Sequence, residues 1–163
     1  MLKYTTAKVV FSEIPDEITL AIEISNCPYH CPACHSKELW QDIGTPLRVG
    51  KLIDLIEANK GITCVCFMGG DSDLEELFNI FKFMPMLYKD LKIAWYTGRE
   101  DIPTDLPPID YIKIGPYKEE CGPINNKSTN QRMYKRIVLK DGLSSSWHWE
   151  DITYKFWKND SNI

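Results

Sequence analysis

The stretch Asn26-Cys27-Pro28-Tyr29-His30-Cys31-Pro32-Ala33-Cys34-His35 places three cysteines at C-x3-C-x2-C spacing. In one tight loop their sulfurs can face a common centre, and thiolate is the soft ligand that iron–sulfur clusters and zinc both favour. Pro28 and Pro32 keep the segment out of helix. Three chemistries compete for it. A structural zinc ion needs four ligands in a closed tetrahedron, which His30 or His35 would complete as a Cys3His set. Disulfides fit less well, because cysteines this close in a core-forming chain read better as metal-binding or catalytic. A four-iron cluster held by three protein thiolates leaves one iron open to another ligand.

Other residues in the chain can carry chemistry. Gly69 and Gly70 lack side chains, so the backbone there can approach a ligand, and Asp71 can accept a hydrogen bond from an ammonium group. The plainer reading is a turn in which Asp71 caps a helix. Gly98, after Thr97, can simply turn the chain. Cys64 and Cys66 point to one face of a strand and read as small core hydrophobes, which leaves Cys121 without a partner for a second cluster. Asn125 to Arg132 is polar and turn-prone, as an exposed loop is.

Stepping outward from these residues, Ile18 to Ser25 alternates apolar and polar residues as a strand does, and the cysteine loop begins where it ends. Lys3 to Phe11 is a weaker strand candidate. Val49, Leu52, Ile53 and Ile56, followed by Gly61, predict an amphipathic helix over about residues 46–60. Ile62 to Phe67 reads as a buried strand ending at Gly69-Gly70-Asp71. Ser72 and Glu75 then suggest a capping box, and Leu74, Leu77, Phe78 and Phe81 a second helix ending near Pro85. Leu91 to Tyr96 and Tyr111 to Ile114 read as strands separated by a loop holding Pro103, Pro107 and Pro108, and Arg136 to Lys140 as a last strand of the series. Each chemical block thus follows a strand, where parallel α/β architectures bind ligands.

The chain has 163 residues, 44% hydrophobic and 26% charged, with a net charge of −4. That predicts one domain spanning 1–163 with a sizeable core and an aromatic-rich tail from about residue 141. The tail crowds Trp147, Trp149, Ile152, Tyr154, Phe156 and Trp157, and its alternation favours packing on the core over an interface. No apolar run is long enough to span a bilayer, no signal-peptide core is present, and the acidic balance argues against a nucleic-acid surface. Six cysteines without a secretory signal point to a reducing, cytoplasmic setting.

The cysteine spacing followed by a glycine-glycine-acid motif resembles the radical S-adenosylmethionine (SAM) family. The resemblance is closer to one branch, the activating proteins of anaerobic ribonucleoside-triphosphate reductase. The blocks that carry this resemblance run from Cys27 to His35, then Met68-Gly69-Gly70-Asp71, Trp95-Tyr96-Thr97-Gly98, Asp110 with Gly115-Pro116-Tyr117, and Ser128-Thr129-Asn130-Gln131-Arg132, in that order over about residues 20–135.

The resemblance implies a partial, open-sided (β/α) barrel of the radical SAM type, since a complete one takes roughly 200 residues or more. It implies one 4Fe-4S cluster on Cys27, Cys31 and Cys34, and S-adenosyl-L-methionine bound by Ala33, Cys34, His35, Gly69, Gly70, Asp71, Thr97 and Gly98. No catalytic residue is implied beyond the cluster and cofactor. The activity implied is reductive cleavage of SAM and formation of a glycyl radical on the reductase, with a flavodoxin-type protein as electron donor. Alternatives are another small radical SAM enzyme, acting on a different glycyl-radical protein or a small molecule, and a non-catalytic zinc or iron–sulfur module. The chain departs from the family pattern at Phe11 to Glu17, where relatives carry a glycine-rich approach. It departs again at Ile114, where relatives carry an acid.

Two expectations can be tested. A cluster with one open iron has no spare protein ligand, so Cys27→Ala, Cys31→Ala or Cys34→Ala should each abolish cluster assembly, while Cys64→Ala, Cys66→Ala and Cys121→Ala should spare it. Iron and sulfide per chain after anaerobic reconstitution measure this. Gly70→Val is expected to leave the cluster intact and weaken SAM binding, read by equilibrium binding.

Overall fold

The computed structural model describes residues 1–141 and 144–157. Its strands are β1 (Lys3–Val10), β2 (Thr19–Ile24), β3 (Thr45–Pro46), β4 (Cys64–Met68), β5 (Lys92–Tyr96), β6 (Tyr111–Ile114), β7 (Arg132–Asp141) and β8 (Ser144–Asp151). The two helices are α1 (Val49–Ala58) and α2 (Leu74–Leu87). All eight strands form one open sheet in the order β3-β1-β2-β4-β5-β6-β7-β8. The central pairs β2–β4, β4–β5 and β5–β6 are parallel, and the flanking pairs are antiparallel.

The α/β class is as expected, but the sheet does not close, and strands far outnumber helices. Among the described strands, parallel pairing is confined to the four central ones. The connection from β5 to β6 carries its three prolines and no helix. The segment expected as a last strand of the parallel series begins four residues earlier, at Arg132, and runs antiparallel to β6.

Strand alternation sorts the core into two faces. Leu20, Ile22, Ile24, Val65, Phe67, Ile93, Trp95, Ile112 and Ile114 meet Leu52 and Ile56 of α1 and Leu77, Phe78, Ile80, Phe81 and Met84 of α2. Within this layer Phe67, Phe78, Phe81 and Trp95 make mainly edge-on ring contacts at 5.4–6.1 Å. The other face carries Cys64, Cys66, Ala94, Tyr96, Tyr111 and Met133, packed against Ile14 and Ile152. Cys64 and Cys66 are fully buried, as small core hydrophobes should be. The segment 11–17, unlike the family pattern in sequence, folds across this second face, where the Tyr96 hydroxyl donates to the Glu13 carbonyl.

Local signals needed two adjustments. The α2 cap is Asp73, whose Oδ1 accepts from the Glu76 amide at 3.1 Å, so Ser72 and Glu75 form no box. Glu76 is taken instead by the chain start, accepting from the Leu2 amide at 2.7 Å. The helix also runs two residues past Pro85, because Met84 is buried and its carbonyl takes the Tyr88 amide at 2.9 Å. In the tail, Ile152 is buried and Trp149 and Phe156 pack partly on the core, yet Trp147 and Tyr154 are 57% and 55% exposed. Residues 142–143 and 158–163 of that expected tail lie outside the described residues.

At the N-terminal end of the parallel strands, the buried Glu17 carboxylate gathers Lys92 Nζ, Tyr111 Oη at 2.7 Å and Thr63 Oγ1 at 2.6 Å. Burial alone would raise the Glu17 carboxyl, but these three donors outweigh it and hold the group below its ordinary range. The stability it adds is therefore present above the unfolded-state carboxylate pKa and lost as pH falls through the folded value. Lys92 is 42% exposed and partly hydrated, which tempers the ion pair. Glu17→Gln should cost about 1–2 kcal/mol at neutral pH. Urea midpoints of parent and variant should converge as the solution is acidified below the carboxylate range.

Candidate functional site

Four chain segments leave the parallel strands at the same end of the sheet. The cysteine loop follows β2, Gly69-Gly70-Asp71 follows β4, Thr97-Gly98 follows β5 and Gly115-Pro116 follows β6. Between them lies a cavity of about 190 Å³ whose walls include Cys27, Cys31, Cys34, Gly69, Asp71, Thr97 and Gly98. Sequence-distant blocks are thus brought together. A larger cavity of about 870 Å³ lies between Phe11–Asp16, Pro123–Asn125 and Tyr154–Trp157, and none of the predicted site residues lines it.

The cysteine loop is shaped by its backbone. Asn26 and His30 adopt left-handed φ values of 62° and 46°. The amides of Asn26 and Cys27 bond to the Gln41 and Leu39 carbonyls at 3.0 and 2.8 Å, closing the loop on its return limb. All three cysteines are free thiols of intermediate exposure. Amide donors reach two of the sulfurs: Tyr29 and His30 at Cys27, and Ser36 at Cys34 Sγ at 3.4 Å. Burial pushes the Cys27 thiol up, and its two amide donors oppose that, as donors to a thiolate would.

The donor set of the loop is three free thiols, the soft ligands that iron–sulfur clusters and zinc both take. Among the described residues, no three His, Cys, Asp or Glu side chains gather as a group placed to hold a metal ion. The histidines that would complete a zinc tetrahedron are engaged elsewhere: His30 stacks on Trp40 at 4.9 Å and His35 lies against Tyr117 at 5.5 Å. A closed zinc site needs its ligands converged on one point. Three thiolates on a cluster each bind a different iron, and the chain offers three cysteines lining one cavity, with amide donors at two of the sulfurs.

Asp71 is not a helix cap, since Asp73 has that role. Its Oδ1 accepts from the Tyr29 hydroxyl at 3.1 Å and from the Thr97 hydroxyl. Desolvation raises the Asp71 carboxyl above its usual range, against the pull of both hydroxyls and Arg99. Burial and the Asp71 charge push the Tyr29 phenol up to about 12, so it remains a donor. Thr97 also receives the Arg99 amide at 3.1 Å, which locks the turn after β5.

The glycines differ in purpose. Gly69 has φ +106°, lines the cavity, and a Cβ there would come within 2.9 Å of the Ile24 carbonyl oxygen. Gly70 has φ +96°, but its absent side chain would point at Leu77 and Ile24 in the core rather than into the cavity. Ala33 and His35 flank Cys34 without lining the cavity. The block from Ser128 to Arg132 is more than an exposed loop. Thr129 and Gln131 are buried, Gln131 Nε2 donates to the Gly115 carbonyl at 3.2 Å, and Asn130 Nδ2 to that of Pro116 at 2.8 Å, fixing the turn after β6.

Lys113 was not singled out from sequence. It projects from β6 into the cavity wall with Nζ 4.7 Å from the Tyr96 ring centre, and desolvation pushes its pKa down to about 8. A lysine between Ile112 and Ile114 in a short apolar strand was the available signal.

Ala substitutions at the glycine pair should separate these roles. Gly69→Ala meets backbone and strained φ and should cost about 2–3 kcal/mol, whereas Gly70→Ala meets mobile leucine methyls and should cost about 1–2 kcal/mol. Gly70→Val should lower the urea midpoint as well as any affinity for SAM, because its branches enter the core. Compared with protein-family models, curated proteins and solved structures, the chain has no match.

Proposed function

We propose that this protein is a radical SAM activase that cleaves S-adenosyl-L-methionine reductively and generates a glycyl radical on anaerobic ribonucleoside-triphosphate reductase. One observation carries the reading: the three cysteines of C-x3-C-x2-C share a cavity with Gly69, Asp71 and Thr97 at the C-terminal ends of parallel strands. The four parallel strands, with both helices on one face, are read as the core of a partial, open-sided barrel.

In this reading Cys27, Cys31 and Cys34 hold a 4Fe-4S cluster and leave one iron for the cofactor. When bound, the reduced cluster would supply one electron and the cofactor's sulfonium would accept it, which is the chemistry of reductive carbon–sulfur cleavage and of hydrogen abstraction from a glycine Cα. The chain's own residues bind and orient. Asp71, aimed by Thr97 and Tyr29, accepts from the ammonium of the cofactor's amino-acid moiety, and Gly69 keeps the strand exit low enough for that moiety to approach. Lys113 offers the opposite charge across the same cavity, which suits a zwitterion. Trp40, Leu39 and Tyr117 line the cavity and would exclude water around the reacting bond. The reductase would close the open side, and a flavodoxin-type protein would deliver the electron.

Anaerobic reconstitution with iron and sulfide, reduction, and assay of 5′-deoxyadenosine test the reading. Cofactor cleavage that rises with added reductase, with a carbon-radical doublet on the reductase by electron spin resonance, is the expected result. Cleavage without that doublet would redirect the substrate to another protein or a small molecule. One zinc per chain and no cleavage would replace the enzyme with a metal module.

A further inference from the structure

The strand-end turns and the cysteine loop meet through one side chain. Gly98 has an ordinary, non-left-handed backbone, so turn geometry does not require glycine there. Space does. A Cβ at this position would lie 2.5, 2.7 and 3.0 Å from Cδ2, Cγ and Cε2 of Tyr29, against the ring itself rather than its flexible end. The same tyrosine's hydroxyl donates to Asp71 Oδ1 at 3.1 Å, the oxygen that also receives Thr97. The backbone hydrogen bonds of the loop run within it, from the Cys34 amide to the Cys31 carbonyl, or back to residues 39–41. They tie the loop to its own return limb. Tyr29, two residues from both Cys27 and Cys31, crosses instead to the ends of β4 and β5.

We propose that Tyr29 is a positioning residue with two separable functions: its ring, seated in the space left by Gly98, docks the cysteine loop on the sheet, and its hydroxyl aims Asp71 into the cavity. Gly98 is then glycine for the sake of Tyr29 rather than for a turn or for direct contact with a cofactor. The docking function concerns the chain alone. The aiming function rests on the proposed SAM-binding reading.

Docking is tested on the full chain, reduced and iron-free, by the rate at which N-ethylmaleimide labels each cysteine, read by peptide mass spectrometry. Gly98→Ala and Tyr29→Ala should each speed labelling of Cys27 and Cys31 by roughly threefold or more, with Cys64 and Cys66 still protected, because the loop opens locally while the sheet stays folded. Tyr29→Phe keeps the ring and should label at the parent rate. In the Tyr29→Ala background, Gly98→Ala should add nothing, since the clash is gone. Parent-rate labelling in Gly98→Ala, or an equal increment in both backgrounds, would overturn the docking claim. If Cys64 and Cys66 open in Gly98→Ala, recovery of their protection in the double variant supports the clash and continued exposure overturns it.

Aiming is tested after anaerobic reconstitution by equilibrium binding of SAM. Tyr29→Phe should weaken binding roughly three- to tenfold, the scale of one hydrogen bond, while its thiol labelling stays at the parent rate. Unchanged affinity would overturn the aiming claim. A parent protein that takes up no iron and binds no SAM would refute the functional reading instead, and the labelling result would stand independently of it.

Discussion

The parallel register of four strands is the constraint on which the rest depends. Glu23 pairs with Met68, Met68 with Tyr96 and Tyr96 with Lys113, so β2, β4, β5 and β6 end at one level. Four loops from distant parts of the chain must therefore emerge side by side. A slip of one residue in any strand would exchange its faces, turning Phe67 or Trp95 away from the helices and burying Cys66 or Tyr96 on the wrong side. The apolar contrast between the faces protects the register, and the register holds the candidate site together.

Strands that end together create a crowded rim. The chain relieves the crowding by removing side chains where backbones turn and by using those turns to hold one another. Gly69 donates to the Tyr96 carbonyl at 2.9 Å and accepts from Trp95 Nε1 at 3.0 Å. Thr97 donates its amide to the Lys113 carbonyl, Gly115 donates to the Arg99 carbonyl, and the 128–132 block holds Gly115-Pro116 from the far side. Each exit is braced by its neighbour. This bracing keeps the rim ordered although it contains little regular structure.

Polar groups are buried at both ends of the parallel strands, with different consequences. At the base, Glu17 is surrounded by donors from β5, β6 and the approach to β4, so its charge is compensated and serves stability. At the rim, the Asp71 carboxyl is raised and the Lys113 amine is lowered, both by desolvation that their partners do not fully offset. Such groups gain when a ligand brings the missing charge. The two ends thus differ in how far their buried charges are compensated.

Much of this was already fixed by local pattern. Period-two alternation located β2, the β-branched run located β4, the helical stripes located α1 and α2, and prolines excluded a helix between β5 and β6, because each signal is a property of contiguous residues. Cysteine spacing marked the loop, since ligands crowded into one short segment need no long-range information. What only the tertiary structure decided were relations across the chain. The sheet stays open and β7 turns antiparallel because strand pairing is chosen by packing, not by strand propensity. Asp73 rather than Ser72 caps α2 because the helix begins at Leu74, and the Glu76 side chain is drawn to the chain start. Asp71 is a cavity carboxylate rather than a cap, Gly98 makes room for a ring 69 residues away in sequence, and Lys113 enters the cavity. A side chain's partner is set by the fold that brings distant segments together, and no stretch of neighbouring residues encodes it alone.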